Sequence, residues 1–229
     1  MKIPGRVRRV DITGRTDADS GDAEAFLAQQ RLEVVNTYTN GEKSPVYTYD
    51  TVLRKWLDAV VMLLTAEVDG SPVVCLRSGV RPPILLRQEL EIPIPDKRIF
   101  HTLWELPAGL IENDEHGLEG IRKRAALETL EETGYRMNDD DFEILPGAPF
   151  LSPGVIPERL YFALGHVEDI ADRITPPGDG SPAEDGSGIW WIGIDDALAR
   201  CERGELVDAK TELGLWRLKA RLRGQESFK

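Results

Sequence analysis

The chain is expected to fold as a layered α/β domain, a mixed sheet with helices packed on it. Three observations predict this. Two strongly apolar runs, "DAVVMLLTAEV" and "PVVCLRSG", are joined by the turn "DGS" and read as neighbouring strands. A helical stretch from about 117 to 134 follows and closes on Gly134, a residue suited to a helix C-cap. Further strands and two closing helices come after it, so the elements interleave along one chain.

The elements run in this order. Residues 14–22 read as a loop, and "DAEAFLAQQRL" (22–32) as a short helix. "LEVVNTYT" and "PVYTYDTVLR" are β-rich, and Asn40-Gly41 between them signals a hairpin turn. Residues 1–54 are therefore an N-terminal extension with an antiparallel β-hairpin, and 55–229 the main domain. Residues 82–99, rich in proline and charge, predict a surface excursion, and "TLWELPAGLIE" a strand running into a loop. "FEILPGAPFL" and "ERLYFALGHVE" predict strands on either side of "SPGVIP". Residues 170–188 form a Pro/Gly/Asp-rich loop. "IWWIGI" is a strand, and "DDALARCERGEL" and "AKTELGLWRLKARLRG" are helices.

Composition narrows the function. With 28 basic against 40 acidic residues the net charge is −12. That balance argues against general nucleic-acid or membrane-surface binding. It leaves room for an anionic small substrate if a metal supplies local positive charge. Cys75 and Cys201 make neither a metal-spaced cluster nor a disulfide framework, which fits a cytoplasmic protein. The basic start has no apolar run after it, and "AVVMLL" (59–64) is too short to span a bilayer.

The stretch "ALETLEETGY" raises the functional question. Glu128, Glu131 and Glu132 stand at i, i+3 and i+4, neighbours on one side of a helix, where like charges cost roughly 0.2–0.5 kcal/mol per pair. At 100° per residue, Leu118, Ile121, Ala125 and Thr129 make the core face, Glu128 and Glu131 lie opposite, and Glu132 lies at the edge. "WELPAGLIE" leads into this helix through Pro107 and Gly109 and can bring backbone carbonyls to the carboxylates. Hard dications bind such oxygens, taking one or two carboxylates together with substrate phosphates. The competing reading is a solvated acidic stripe, with Arg122, Lys123 and Arg124 partly neutralising it.

"GLIENDEHGLEGIRKRAALETLEETGY", Gly109 to Tyr135, resembles the Nudix box, G-x5-E-x7-R-E-U-x-E-E-x-G-U with U a bulky apolar residue. Glu128, Glu131 and Glu132 match its glutamates, and Gly109, Gly134 and Tyr135 its ends. The chain departs at three points. Leu127 stands at the Arg position, Thr129 stands at the first U position, and about four extra residues precede the helix. Either Glu115 or Glu119 keeps one of the two spacings, so an added helical turn or a longer loop would fit. Arg124 lies between Glu128 and Glu131 on the wheel and is expected to replace the missing Arg. The likeness runs over roughly residues 45–222 and is nearest the ADP-ribose and nucleoside-diphosphate-sugar pyrophosphatase branch. "LSPGVIPERLYF" and "GIWWIGIDDALARCERGELVDAKTELGLWRL" are similar to segments of that branch.

The resemblance implies a Nudix-type α/β/α sandwich and Mg²⁺-dependent (or Mn²⁺-dependent) hydrolysis of a diphosphate. It implies metal binding by Glu128 and Glu132, with Glu131 assisting and Ala108 offering its carbonyl. Glu112 and Glu115 read as surface charges before ligands. The water-activating base is expected from the late loop, Glu184 first and Asp185 second, with Glu131 as the alternative. Arg81, Glu105, Glu158 and Arg159 are candidate substrate contacts. Trp190 and Trp191 read as sheet packing, Tyr47 and Tyr49 as cross-strand packing, and the three histidines receive no role. The N-terminal hairpin implies a homodimer. Two other readings stay open: a Nudix enzyme for dinucleoside polyphosphates or capped RNA, and a nucleotide-binding module without catalysis.

Overall fold

The computed structural model describes residues 26–178, 180–181 and 186–226. The chain opens with β1 (Leu27–Val34) and β2 (Tyr47–Arg54), then β3 (Ala59–Val68) and β4 (Ser71–Gly79). Short α1 (Pro82–Leu85) leads through an exposed stretch to β5 (Leu103–Glu105) and β6 (Ala108–Leu110). Then come α2 (Gly117–Thr133), β7 (Glu143–Ile144), β8 (Leu160–His166), β9 (Ile189–Gly193), α3 (Ile194–Glu202) and α4 (Ala209–Glu226).

β3 organises the domain. It pairs parallel with β8 along residues 59–65, antiparallel with β6 at its start and antiparallel with β4 at its end. The sheet is therefore mixed, with seven strands among the described residues. Alternation along β3 and β4 sorts the two faces. Val61, Leu63, Val74 and Leu76 pack with Leu198 of α3 and Leu215 and Leu218 of α4. Val60, Met62, Leu64, Val73 and Cys75 pack with Ile121, Ala125 and Ala126 of α2. Helices thus cover both faces, which is why β3 reads as a continuous apolar run. Among the described residues no helix is long and apolar enough to cross a membrane.

β1 and β2 form a separate two-stranded antiparallel sheet, Leu27 opposite Arg54 and Val34 opposite Tyr47. The turn at Asn40-Gly41 is present, with Gly41 at φ 86° and the Gly41 N–H donating to the Tyr38 carbonyl at 2.9 Å. The helix expected over 22–32 is corrected where the structure describes it, because residues 27–32 belong to β1. Its alanines and glutamines suit a helix, but pairing with β2 decides, including Arg31 on Asp50 at 2.7 and 2.9 Å. The hairpin docks on the "SPGVIP" segment: the Val52 N–H and the Thr51 hydroxyl donate to the Val155 carbonyl, at 2.8 and 2.9 Å.

Helix α2 ends as its sequence predicts, with Gly134 left-handed at φ 82° and its N–H on the Leu130 carbonyl. Ile121, Ala125 and Thr129 are buried, but Leu118 is exposed, a correction to the expected core face. It lies in the first turn, before the helix reaches the sheet. Residues 111–116 form a loop, so no added turn of helix precedes Gly117.

Candidate active site

The site starts from a close approach of α2 to β6. Gly109 lies against Glu128, and a Cβ there would collide with the Glu128 carboxylate, so glycine is what admits that side chain. One turn on, the Ala108 N–H donates to Glu132 Oε2 at 2.9 Å. Two carboxylates therefore arrive at two consecutive residues of one strand. The link to Ala108 runs through its N–H, whereas the resemblance assigns its carbonyl.

Each carboxylate has a cation. Glu132, expected at the edge of the helix, is buried, and its Oε1 pairs with Arg77 of β4. Arg124 reaches three glutamates: Glu112 at 2.8 Å, Glu115 at 2.9 Å and Glu128 at 3.6 Å. Arg124 thus stands one turn before Glu128, within reach of its carboxylate. Burial opposes its charge, and the hydrogen bonds and field of Glu115 and then Glu112 outweigh that and raise its pKa. The reading of Glu115 as a surface charge is corrected: its side chain is 4% exposed and its Oε2 also accepts the Glu112 N–H at 2.9 Å. Glu112 itself is half-exposed.

Glu131 is half-buried, and its carbonyl accepts the Gly178 N–H at 3.0 Å. That contact lies within the 170–188 loop, and the end of the loop is held at Ser78, whose Oγ accepts the Gly188 N–H at 2.7 Å. Glu184 and Asp185 lie outside the described residues.

Arg81 and Glu105 are brought together elsewhere. Glu105 is 1% exposed and accepts from Arg81 Nη2 at 2.7 Å and from Lys210 Nζ at 2.5 Å. Lys210 also bonds Asp208 at 2.8 Å, and Asp208 accepts the N–H and hydroxyl of Thr211 at the start of α4. The Thr211 oxygen accepts the Leu106 N–H at 2.8 Å. Glu105 is therefore held inside the protein, and Arg81, half-exposed, faces both Glu105 and solvent.

Glu158 and Arg159 stand at the joint with the hairpin. Glu158 pairs with Arg54, and Arg159 stacks over Phe150 at 4.3 Å. Trp190 packs edge-on to Trp104, and Trp191 packs edge-on to Tyr135 and donates to its hydroxyl at 2.9 Å, as sheet packing predicts.

Sequence reasoning did not find Arg77 or Lys210. Arg77 carried a signal, since alternation through Val73 and Cys75 points it at α2, a charge at an inward position. Lys210 carried none beyond the Asp208-x-x-Thr211 cap. No family model matches the chain, and no curated protein matches it.

Among the described residues no group of three His, Cys, Asp or Glu side chains is placed to hold a metal ion. Arginines stand among the carboxylates instead. The donor chemistry nevertheless fits a hard dication: Glu128 and Glu132 bring carboxylate oxygens to one strand, and Mg²⁺ commonly takes one or two carboxylates when phosphates supply the rest.

Proposed function

We propose that this chain is a Nudix-type hydrolase that cleaves the diphosphate of ADP-ribose or a related nucleoside diphosphate sugar. The supporting observation is the convergence of Glu128 and Glu132 on Ala108 and Gly109. Three glutamates in five positions carry a repulsion that a surface stripe has no reason to keep, and a dication with a bound diphosphate removes it. A bound Mg²⁺ or Mn²⁺ supplies Lewis acidity and a water of lowered pKa. Glu128 and Glu132 hold that charge, and Arg124 fixes Glu128. Glu131, Glu184 and Asp185 are the proposed acceptors for the water proton, and Arg81 is the proposed phosphate contact on the half-exposed side. Placement at a sheet joint makes Glu158 and Arg159 weaker proposals as substrate contacts. The products are a nucleoside monophosphate and a sugar phosphate.

AMP release from ADP-ribose with Mg²⁺, wild type beside Glu132→Gln, tests this. Release by the wild type and a loss of about 10² or more in the variant is expected. No release across a panel of nucleotide sugars, dinucleoside polyphosphates and capped RNA, with nucleotide binding retained, moves the reading to a non-catalytic module. The observation on that side is Glu132 itself, already paired with Arg77. Base identity is read by the pH profiles of Glu131→Gln and Glu184→Gln.

A cytoplasmic homodimer completes the reading. The hairpin shows exposed Leu27, Leu32, Tyr47 and Tyr49, an apolar surface suited to a second copy of this chain. Light scattering of the full chain, which is expected to give twice 25.6 kDa, checks the dimer.

A further inference from the structure

We infer that Arg77 is the resident counter-cation of the carboxylate site: it holds Glu132 when no divalent ion is bound, and an arriving dication must displace it. The inference rests on the reading above that Glu132 takes such an ion.

The pair is enclosed. The side chains of Arg77 and Glu132 are 4% and 3% exposed. A carboxylate at that depth stays ionised only beside a partner, and Val60, Met62 and Cys75 on this face of the sheet are apolar. Arg77 comes from β4 and Glu132 from α2, so the guanidinium is delivered across the layer, independently of the helix's own Arg124. Arg124 reaches Glu112, Glu115 and Glu128, while Arg77 reaches Glu132.

The other Glu132 oxygen accepts the Ala108 N–H, so an ion taking this carboxylate meets Arg77 at Oε1. Two cations at one carboxylate oxygen repel. Arg77 also has Ser187 Oγ as a polar neighbour, at 3.5 Å from its Nη2. Ion binding and the Arg77–Glu132 pair are therefore coupled with negative sign, and the coupling is reciprocal. Arg77 sets how much free ion the site needs.

Mn²⁺ binding without substrate, followed by calorimetry and by the electron paramagnetic resonance of free Mn²⁺, tests this. Arg77→Gln is expected to bind Mn²⁺ roughly 5–150-fold more tightly than wild type, the usual span of such coupling, and Arg77→Lys close to wild type. In a Glu132→Gln background the Arg77→Gln effect is expected to vanish. A second measurement needs no neutral variant: the Arg77 Nε–Hε resonance, assigned through Arg77→Lys, is expected to shift as wild type is titrated with Mg²⁺. Equal or weaker Mn²⁺ binding in Arg77→Gln, or an unmoved resonance, overturns the inference while leaving an ion at Glu132. Mn²⁺ binding that is absent from wild type, or unchanged by Glu132→Gln, overturns the assignment of Glu132 and this inference with it.

Discussion

Two buried glutamates of this chain face opposite fates. Glu105 is enclosed by Arg81 and Lys210, and the chain of bonds continues through Asp208 and Thr211 to the Leu106 backbone. Glu132 has Arg77 on one oxygen and a single backbone N–H on the other. The first arrangement is closed and ties β5 to the start of α4. The second holds a carboxylate beside further carboxylates of the same helix, so one stronger cation can reorganise it. Buried charge by itself does not mark a site. What marks it here is charge held in an arrangement that a ligand would improve.

The largest effect should fall on the closed cluster. Glu105→Gln removes the carboxylate that two cations share, and breaking a buried pair costs about 3–5 kcal/mol. The urea midpoint is expected to drop accordingly, and Mg²⁺ is not expected to restore it. Recovery of Glu105→Gln by Mg²⁺ would erase the distinction between the two glutamates.

The next effect concerns Arg124. Arg124→Ala is expected to lower turnover of the diphosphate substrate about tenfold, or about 1.4 kcal/mol of barrier, by releasing Glu128 from its neighbour at 3.6 Å. Arg124→Lys should recover only part, since one ammonium cannot reproduce a planar fork shared among three glutamates. Unchanged turnover in Arg124→Ala would overturn the role proposed for Arg124 beside Glu128.

The sequence made these parts unequally legible. Helix α2, its Gly134 cap and the Asn40-Gly41 turn were readable because their signals are local: periodicity, a left-handed C-cap and a turn dipeptide. β1 was misread over 27–32 because its residues take their conformation from partners in β2. The glutamate cluster was readable as a pattern, but its counter-charges were not. Glu105 meets Lys210 across 105 residues, and Arg77 meets Glu132 across a layer boundary. Which carboxylate is buried depends on those distant cations. Glu132 therefore turned out deeper than the helical wheel alone suggests.

Alkaline pH probes the α2 face of the sheet without touching either glutamate. Burial pushes the Cys75 thiol from 9.0 up to about 12, with the field of Arg173 opposing. The native protein then keeps a proton that the unfolded chain releases, so stability is full below about 9 and falls as pH rises toward about 12. Between pH 8 and 10 this group accounts for a loss of about 1.4 kcal/mol. Cys75→Val should flatten the alkaline decline by that amount in urea titrations. Rapid alkylation of native Cys75 at pH 9 would contradict the enclosure of this face.

The smallest expected effect separates the two regions most directly. Thr129 lies on α2 between Glu128 and Glu132 and is fully buried, and among the described residues its hydroxyl has no hydrogen-bond partner. The bonds of the Glu105 cluster end on a donor and acceptor that satisfy each other, Leu106 N–H and Thr211 Oγ1. An unmet buried hydroxyl costs about 1–3 kcal/mol, so Thr129→Val, which keeps the branched shape, is expected to raise stability by about 1 kcal/mol. Thr211→Val should do the opposite, because it strands the Leu106 N–H and removes one of the three donors on Asp208 Oδ2. If both substitutions destabilise, Thr129 has a partner under working conditions, and a water or ligand within reach of the carboxylates becomes the group to find. If Thr129→Val stabilises but lowers turnover, the helix carries an unsatisfied polar atom at the turn proposed for catalysis at a cost to folding, which the Glu105 cluster does not share.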